Sequence, residues 1–288
     1  MNFKLKVTSL CILLIFLFVG CSKTASNVSN ENKNNEVTQS TSISKTSDKE
    51  KDDKDNSKKV PENNQQNKKQ NVENEKSKEV KKKVVVLDPG HGNRSNLEKE
   101  AIYPGSTELK IKDGGGAEGV NSKTPEYVIA MGITMKLKVL LENKGYAVIM
   151  TKTTPQESPG NIERAEVGNK NNADLVIRVH ADSSESSNTS GASILIPATI
   201  GYAKDISEIS RKYGEIILES LINEVGMKNK GLVERSDLTG FNWSKVPVIL
   251  VETGFLSNPQ EDRLLNTEEY QSKIAKGLFN GIDKALSN

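Results

Sequence analysis

The chain has 288 residues, of which 34% are hydrophobic. That falls short of the roughly 45–50% of a globular protein even when glycine is counted, so a sizeable stretch has no core. Its 40 basic and 38 acidic residues leave a formal charge of +2, which excludes a nucleic-acid binder held by a bulk basic field. The two cysteines, Cys11 and Cys21, both lie at the start, and histidine occurs only as His91 and His180; disulfides and thiolate ligands are excluded from everything after residue 21.

In chain order, residues 1–21 carry Lys4 and Lys6 and then an uncharged apolar run from Val7 to Val19. The run is too short for a stable span and has the form of a secretory signal peptide. Its end, Phe18-Val19-Gly20-Cys21, resembles a bacterial lipobox, with Phe18 where leucine is usual. That resemblance implies lipidation of Cys21 and an exported chain anchored to the outer face of the cell membrane. Residues 22–83 contain no Phe, Trp, Tyr or Leu, and hold 15 lysines against 11 acidic residues. Such a segment cannot bury enough apolar surface to offset its chain entropy, so it reads as a disordered stalk. The rest, 84–288, is net acidic and long enough for one substantial core.

Within 84–288, β-branched runs alternate with stretches of helical period. The predicted strands are Val84–Asp88, Tyr146–Thr151, Asp174–Ala181, Ala192–Pro197 and Val246–Thr253. The predicted helices are Glu126–Asn143, Ile162–Asn169, Tyr202–Val225 and Tyr270–Leu286. Thr124 is expected to cap the first of these, with Pro125 at its first helical position. The alternation implies an α/β fold: a single open, mostly parallel twisted sheet with helices on both faces. Its strands are apolar throughout because both sides are covered. Gly114-Gly115-Gly116 sits in a polar segment, and residues 92–123 read as a loop forming a mobile wall.

Three ionisable groups fall at strand ends: His91 just past VVVLD, His180 closing LVIRVH and Glu252 closing VPVILVE. In an open α/β sheet the carboxyl ends of the strands face the ligand crevice. Two histidines and one carboxylate make the ligand set of a catalytic zinc with one position open. The third ligand is either Glu252 or another carboxylate. Glu126 opens a helix that faces the crevice, and Glu98, Glu100, Glu108 and Glu118 compete with it.

At these residues the chain resembles the zinc-dependent N-acetylmuramoyl-L-alanine amidases of the family 3 type. The likeness is carried by Val85–Gly92 (VVLDPGHG), Gly116–Gly119 ahead of Glu126, Asn161–Asn169 with Arg164, Ile177–Asp182, and Val246–Asp262 (VPVILVETGFLSNPQED). The resemblance implies zinc bound by His91, Glu126 and His180, and Glu252 as the catalytic glutamate. It also implies hydrolysis of the amide between N-acetylmuramic acid and L-alanine in peptidoglycan. Two departures stand out: the segment from His91 to Glu126 is long, and Tyr127 occupies a position where lysine is usual. Arg164 is read as a scaffold ion pair. The competing functions are a zinc peptidase or deacetylase on another wall amide, and a non-catalytic lipoprotein that binds peptidoglycan.

Overall fold

The computed structural model describes residues 81–287. The leader, Cys21 and the stalk through residue 80 lie outside the described residues. In chain order the elements are β1 (Val84–Pro89), β2 (Asn96–Ala101), β3 (Leu109–Asp113), α1 (Glu126–Lys144), β4 (Ala147–Met150), α2 (Asn161–Lys170) and β5 (Leu175–Asp182). They continue with β6 (Ala192–Pro197), α3 (Lys204–Val225), β7 (Asn229–Arg235), α4 (Thr239–Asn242), β8 (Val248–Phe255), α5 (Pro259–Leu265) and α6 (Glu268–Leu286).

Six strands form a sheet in the order β4-β1-β5-β8-β6-β7. Every neighbouring pair is parallel except β6 with β8. The exception has a simple cause. The loop 183–191 joins β5 to β6 without a crossover helix, so β6 starts at the end of the sheet where β5 stops and must run back. The apolar residues divide by parity. Val85, Leu87, Ile177, Val179, Ile249 and Val251 pack with α1, α3 and α6 on one face, while Val86, Val176, Val248 and Leu250 pack with Val167 of α2 and Phe241 of α4 on the other. Helices thus cover both faces, as the unbroken apolar strands require.

All five predicted strands and all four predicted helices are present, with ends displaced by at most two residues. The predicted start of α1 is corrected. Pro125 is itself the N-cap residue and offers no side-chain cap, because a residue before proline is held extended and Thr124 cannot begin the helix. The Thr124 hydroxyl donates instead to Asn266 Oδ1 at 2.6 Å. The segment 92–123 is also more than a loop: β2 and β3 pair antiparallel as a separate two-stranded sheet.

Candidate metal centre

β1 ends in Asp88-Pro89, and the chain then turns through Gly90 into His91. Gly90 is required by contact: a Cβ there would lie 2.5 Å from Cε1 of His180. His91 itself has a left-handed backbone, with φ of 50°. On the next two strands of the sheet, β5 and β8, His180 and Glu252 are direct register partners. Glu126 reaches the same point as the first residue of α1, so the carboxyl ends of three strands and one helix N-terminus meet there.

The donor atoms converge. Glu126 Oε1 lies 2.9 Å from His180 Nδ1 and 3.4 Å from His91 Nε2. The two rings meet edge to face, with centroids 4.9 Å apart. One ligand atom from each of His91, Glu126 and His180 falls within 4.8 Å of the others. The second oxygen of Glu126 accepts the Ala117 N–H at 2.8 Å, which fixes the carboxylate. On its far side His91 Nδ1 bonds Asp113 Oδ1 at 2.7 Å, the outer carboxylate that orients an imidazole ligand and raises its basicity. Among the described residues, His180 Nε2 and Glu252 Oε2 are buried without a hydrogen-bond partner. Both residues line a cavity of about 470 Å³, together with His91, Glu126, Asp182 and Ser183. Two imidazoles, one carboxylate, an orienting second carboxylate and orphaned buried polar atoms fit a zinc-type cation, for which nitrogen donors are preferred over calcium's all-oxygen set.

Electrostatics follow from this crowding. Burial opposes the carboxylate of Glu126, but His180 and His91 outweigh it and hold Glu126 well below the usual carboxylate range. Burial likewise opposes a protonated His91, while Asp113 and Glu126 push it up to about 9. Glu252 moves the other way. Burial first, and then the negative charges of Glu126 and Asp182, push it well above the ordinary glutamate value, the direction that suits a proton acceptor working near neutrality.

The supporting frame is polar and buried. Asp88 pairs with Arg164 Nη1 at 2.5 Å and with Arg178 Nε at 2.7 Å. Arg164 also donates to Pro89 O and His91 O, at 2.9 and 3.2 Å. Arg164 is therefore the scaffold ion pair expected of it. Asp262 accepts from Asn121 N, Ser122 N and Ser122 Oγ, anchoring the turn that delivers Glu126. Glu261 accepts from Gly191 N and Phe255 N. The two acidic residues of the NPQED stretch thus fasten loops rather than take part in chemistry.

All four proposed site residues are brought together, and the competitors for the third ligand position are not. Glu98, Glu108 and Glu118 are exposed, with Glu98 paired to Lys112 and Glu118 to Lys123. Glu100 is buried but accepts from Asn161 N and Ile162 N at the start of α2. Asp113 and Lys152 were missed by sequence reasoning. The only signal for Asp113 was its place before three glycines, and Lys152 gave none.

The family model described as N-acetylmuramoyl-L-alanine amidase matches residues 85–284. Among relatives, the chain is 26% identical to N-acetylmuramoyl-L-alanine amidase AmiA of Salmonella typhimurium, over 70% of this chain and 75% of that one. It is 25% identical to N-acetylmuramoyl-L-alanine amidase AmiC of Neisseria meningitidis, over 71% of this chain but only 53% of the relative. The crystal structure of the apo form of the N-acetylmuramyl-L-alanine amidase Ami1 from Mycobacterium abscessus superposes with a TM-score of 0.65 at 26% identity, covering 71% of this chain and 98% of that one.

Proposed function

The chain belongs to the N-acetylmuramoyl-L-alanine amidase family, Amidase_3, and from that premise we propose that it is a zinc-dependent enzyme of peptidoglycan. It cleaves the amide between the lactyl group of N-acetylmuramic acid and the L-alanine of the stem peptide. The observation that carries this reading is the meeting of His91, Glu126 and His180 within 4.8 Å, with Glu252, whose Oε2 has no hydrogen-bond partner among the described residues, in the same cavity.

His91, Glu126 and His180 would hold the metal, with Asp113 fixing the ring of His91. A zinc ion bound there would supply Lewis acidity for the scissile carbonyl and the attacking water. Glu252 takes the proton of the attacking water and returns it to the departing amine, so the products leave as a muramyl carboxylate and a free amino terminus. This role suits a carboxylate that is raised by burial and whose Oε2 has no hydrogen-bond partner among the described residues. The cavity wall is acidic and polar, with Asp182 and Ser183 beside Glu252, which suits a hydrated sugar-peptide junction better than an apolar ligand.

The same reading extends to the segments outside the described residues. The chain is exported and lipidated at Cys21, with residues 22–83 joining that anchor on the outer face of the cell membrane to the catalytic domain. Support comes from the lipobox-like end of the leader and the composition of the stalk.

The decisive experiment is mass spectrometry of muropeptides after digestion of purified peptidoglycan, with a chelator and with zinc restored. The expected products are glycan strands with free lactyl carboxylates and stem peptides with free N-terminal alanine. They disappear with chelator and return with zinc. Products with intact lactyl-alanine amides but deacetylated sugars or shortened stems would overturn the proposed substrate bond.

A further inference from the structure

Lys152 follows β4 and is among the largest fully buried side chains, with 1% of its surface exposed. Among the described residues it makes no ion pair. Its ammonium is directed instead at backbone oxygens, donating to His91 O with Gly90 O at 3.5 Å. Asp88, Asp113 and Glu157 lie near enough to favour its charge, but none pairs with it directly, and a buried ammonium held by backbone oxygens alone is costly. Methionine would fill the same space without that cost, so packing alone does not account for the charge.

The carbonyl it holds belongs to the one strained ligand of the centre. His91 is a non-glycine residue at φ of 50°, a conformation that persists only when the surroundings over-determine it. The same oxygen accepts Arg164 Nη2 at 3.2 Å. The other donors of Arg164 are committed to Asp88, Pro89 O and Pro159 O. Two cationic donors on one carbonyl, which has two lone pairs, fix the peptide plane after His91. Asp113 fixes the ring at the other end of the residue.

We propose that Lys152 is a positioning residue of the metal centre: its buried ammonium holds the His91 carbonyl and so locks the left-handed turn that aims the imidazole at Glu126 and His180. The inference rests on the reading of His91 as a metal ligand.

The test uses the full chain with three substitutions, Lys152→Met, Lys152→Gln and Lys152→Arg, and with His91→Ala as a control. Zinc affinity is measured by competition with a chromophoric chelator, and kcat and KM on purified peptidoglycan. A folded Lys152→Met is expected to bind zinc about 10- to 100-fold more weakly, the usual effect of removing an outer-shell partner. Its kcat should fall while KM stays within about twofold of the parent, as for a loss realised at the reacting centre. Lys152→Arg should restore most of the zinc affinity, since a cationic donor is returned to the same oxygen. Unchanged zinc affinity in folded Lys152→Met and Lys152→Gln would overturn the proposal. So would failure of both neutral variants to fold, because Lys152 would then hold the fold rather than the ligand. If His91→Ala kept its zinc, the ligand set itself would fall; loss in His91→Ala with no change in Lys152→Met would defeat the positioning role alone.

Discussion

Glu252 and His180 face each other across β5 and β8, yet one is read as the proton acceptor and the other as a ligand. Their partners account for the difference: His180 Nδ1 is bonded to Glu126, whereas Glu252 Oε2 has no partner among the described residues. Glu252→Gln therefore keeps the metal and loses the acceptor. The expected outcome is zinc stoichiometry equal to the parent, with kcat on peptidoglycan lowered by about 10²–10⁴, the usual contribution of a positioned base. Loss of zinc in this variant would move Glu252 into the ligand set. His91, His180 and Glu252 were legible in the sequence because each ends an apolar run, and strand ends in such sheets face the crevice. Glu126 was settled only by resemblance. Asp113 and Lys152 were not legible, because what they do depends on His91, 22 and 61 residues away, and no local pattern encodes that closure.

Among the elements, β1, β5, β6 and β8 announced themselves as continuous aliphatic runs, whereas β2, β3 and β7 did not. The reason lies in their surroundings. In the hairpin the aliphatic residues point to solvent, leaving Leu97, Leu109 and Ile111 exposed, while Glu100 and Asp113 are the buried ones. β7, NKGLVER, is an edge strand with much of its length exposed. The hydrophobic pattern that normally reveals a strand is thus inverted or absent. Glu100 also shows why α2 can start without a capping side chain of its own: the hairpin supplies a carboxylate to its first amides. The joint between β1, β5 and α2 is the Asp88 pair of guanidinium contacts. Burial would raise the pKa of Asp88, but Arg164 and Arg178 hold it below the usual carboxylate range. Its contribution is therefore complete above about pH 4 and is lost as pH falls through the depressed folded value. Asp88→Asn should cost about 3–5 kcal/mol in denaturant unfolding at neutral pH, as removal of one member of a buried pair does. The gap from the parent should stay constant down to about pH 5 and narrow below pH 4. A gap that held steady through pH 3 would show that the carboxylate charge is not what stabilises the joint.

For the whole molecule, the near-neutral charge and low apolar fraction are averages over unlike parts. The leader and stalk carry the excess of lysine, and the catalytic part is acidic. The proposed tether makes location a property separable from chemistry. Cys21→Ala is expected to shift the protein from the membrane fraction to the soluble fraction on cell fractionation, while retaining the parent rate on isolated walls. Continued membrane association would show that something other than a lipid at Cys21 holds it there.

The placement of β8 carries a consequence for timing. It is the last strand in the chain, yet it lies between β5 and β6 in the sheet, and it brings Glu252 to a centre whose ligands come from much earlier segments. Domains are synthesised from the N-terminus, so a partial chain that stops short of β8 lacks both the central strand and Glu252, the residue proposed above as proton acceptor. A chain truncated before β8 is therefore expected to be inactive on peptidoglycan, whatever else of the domain it retains.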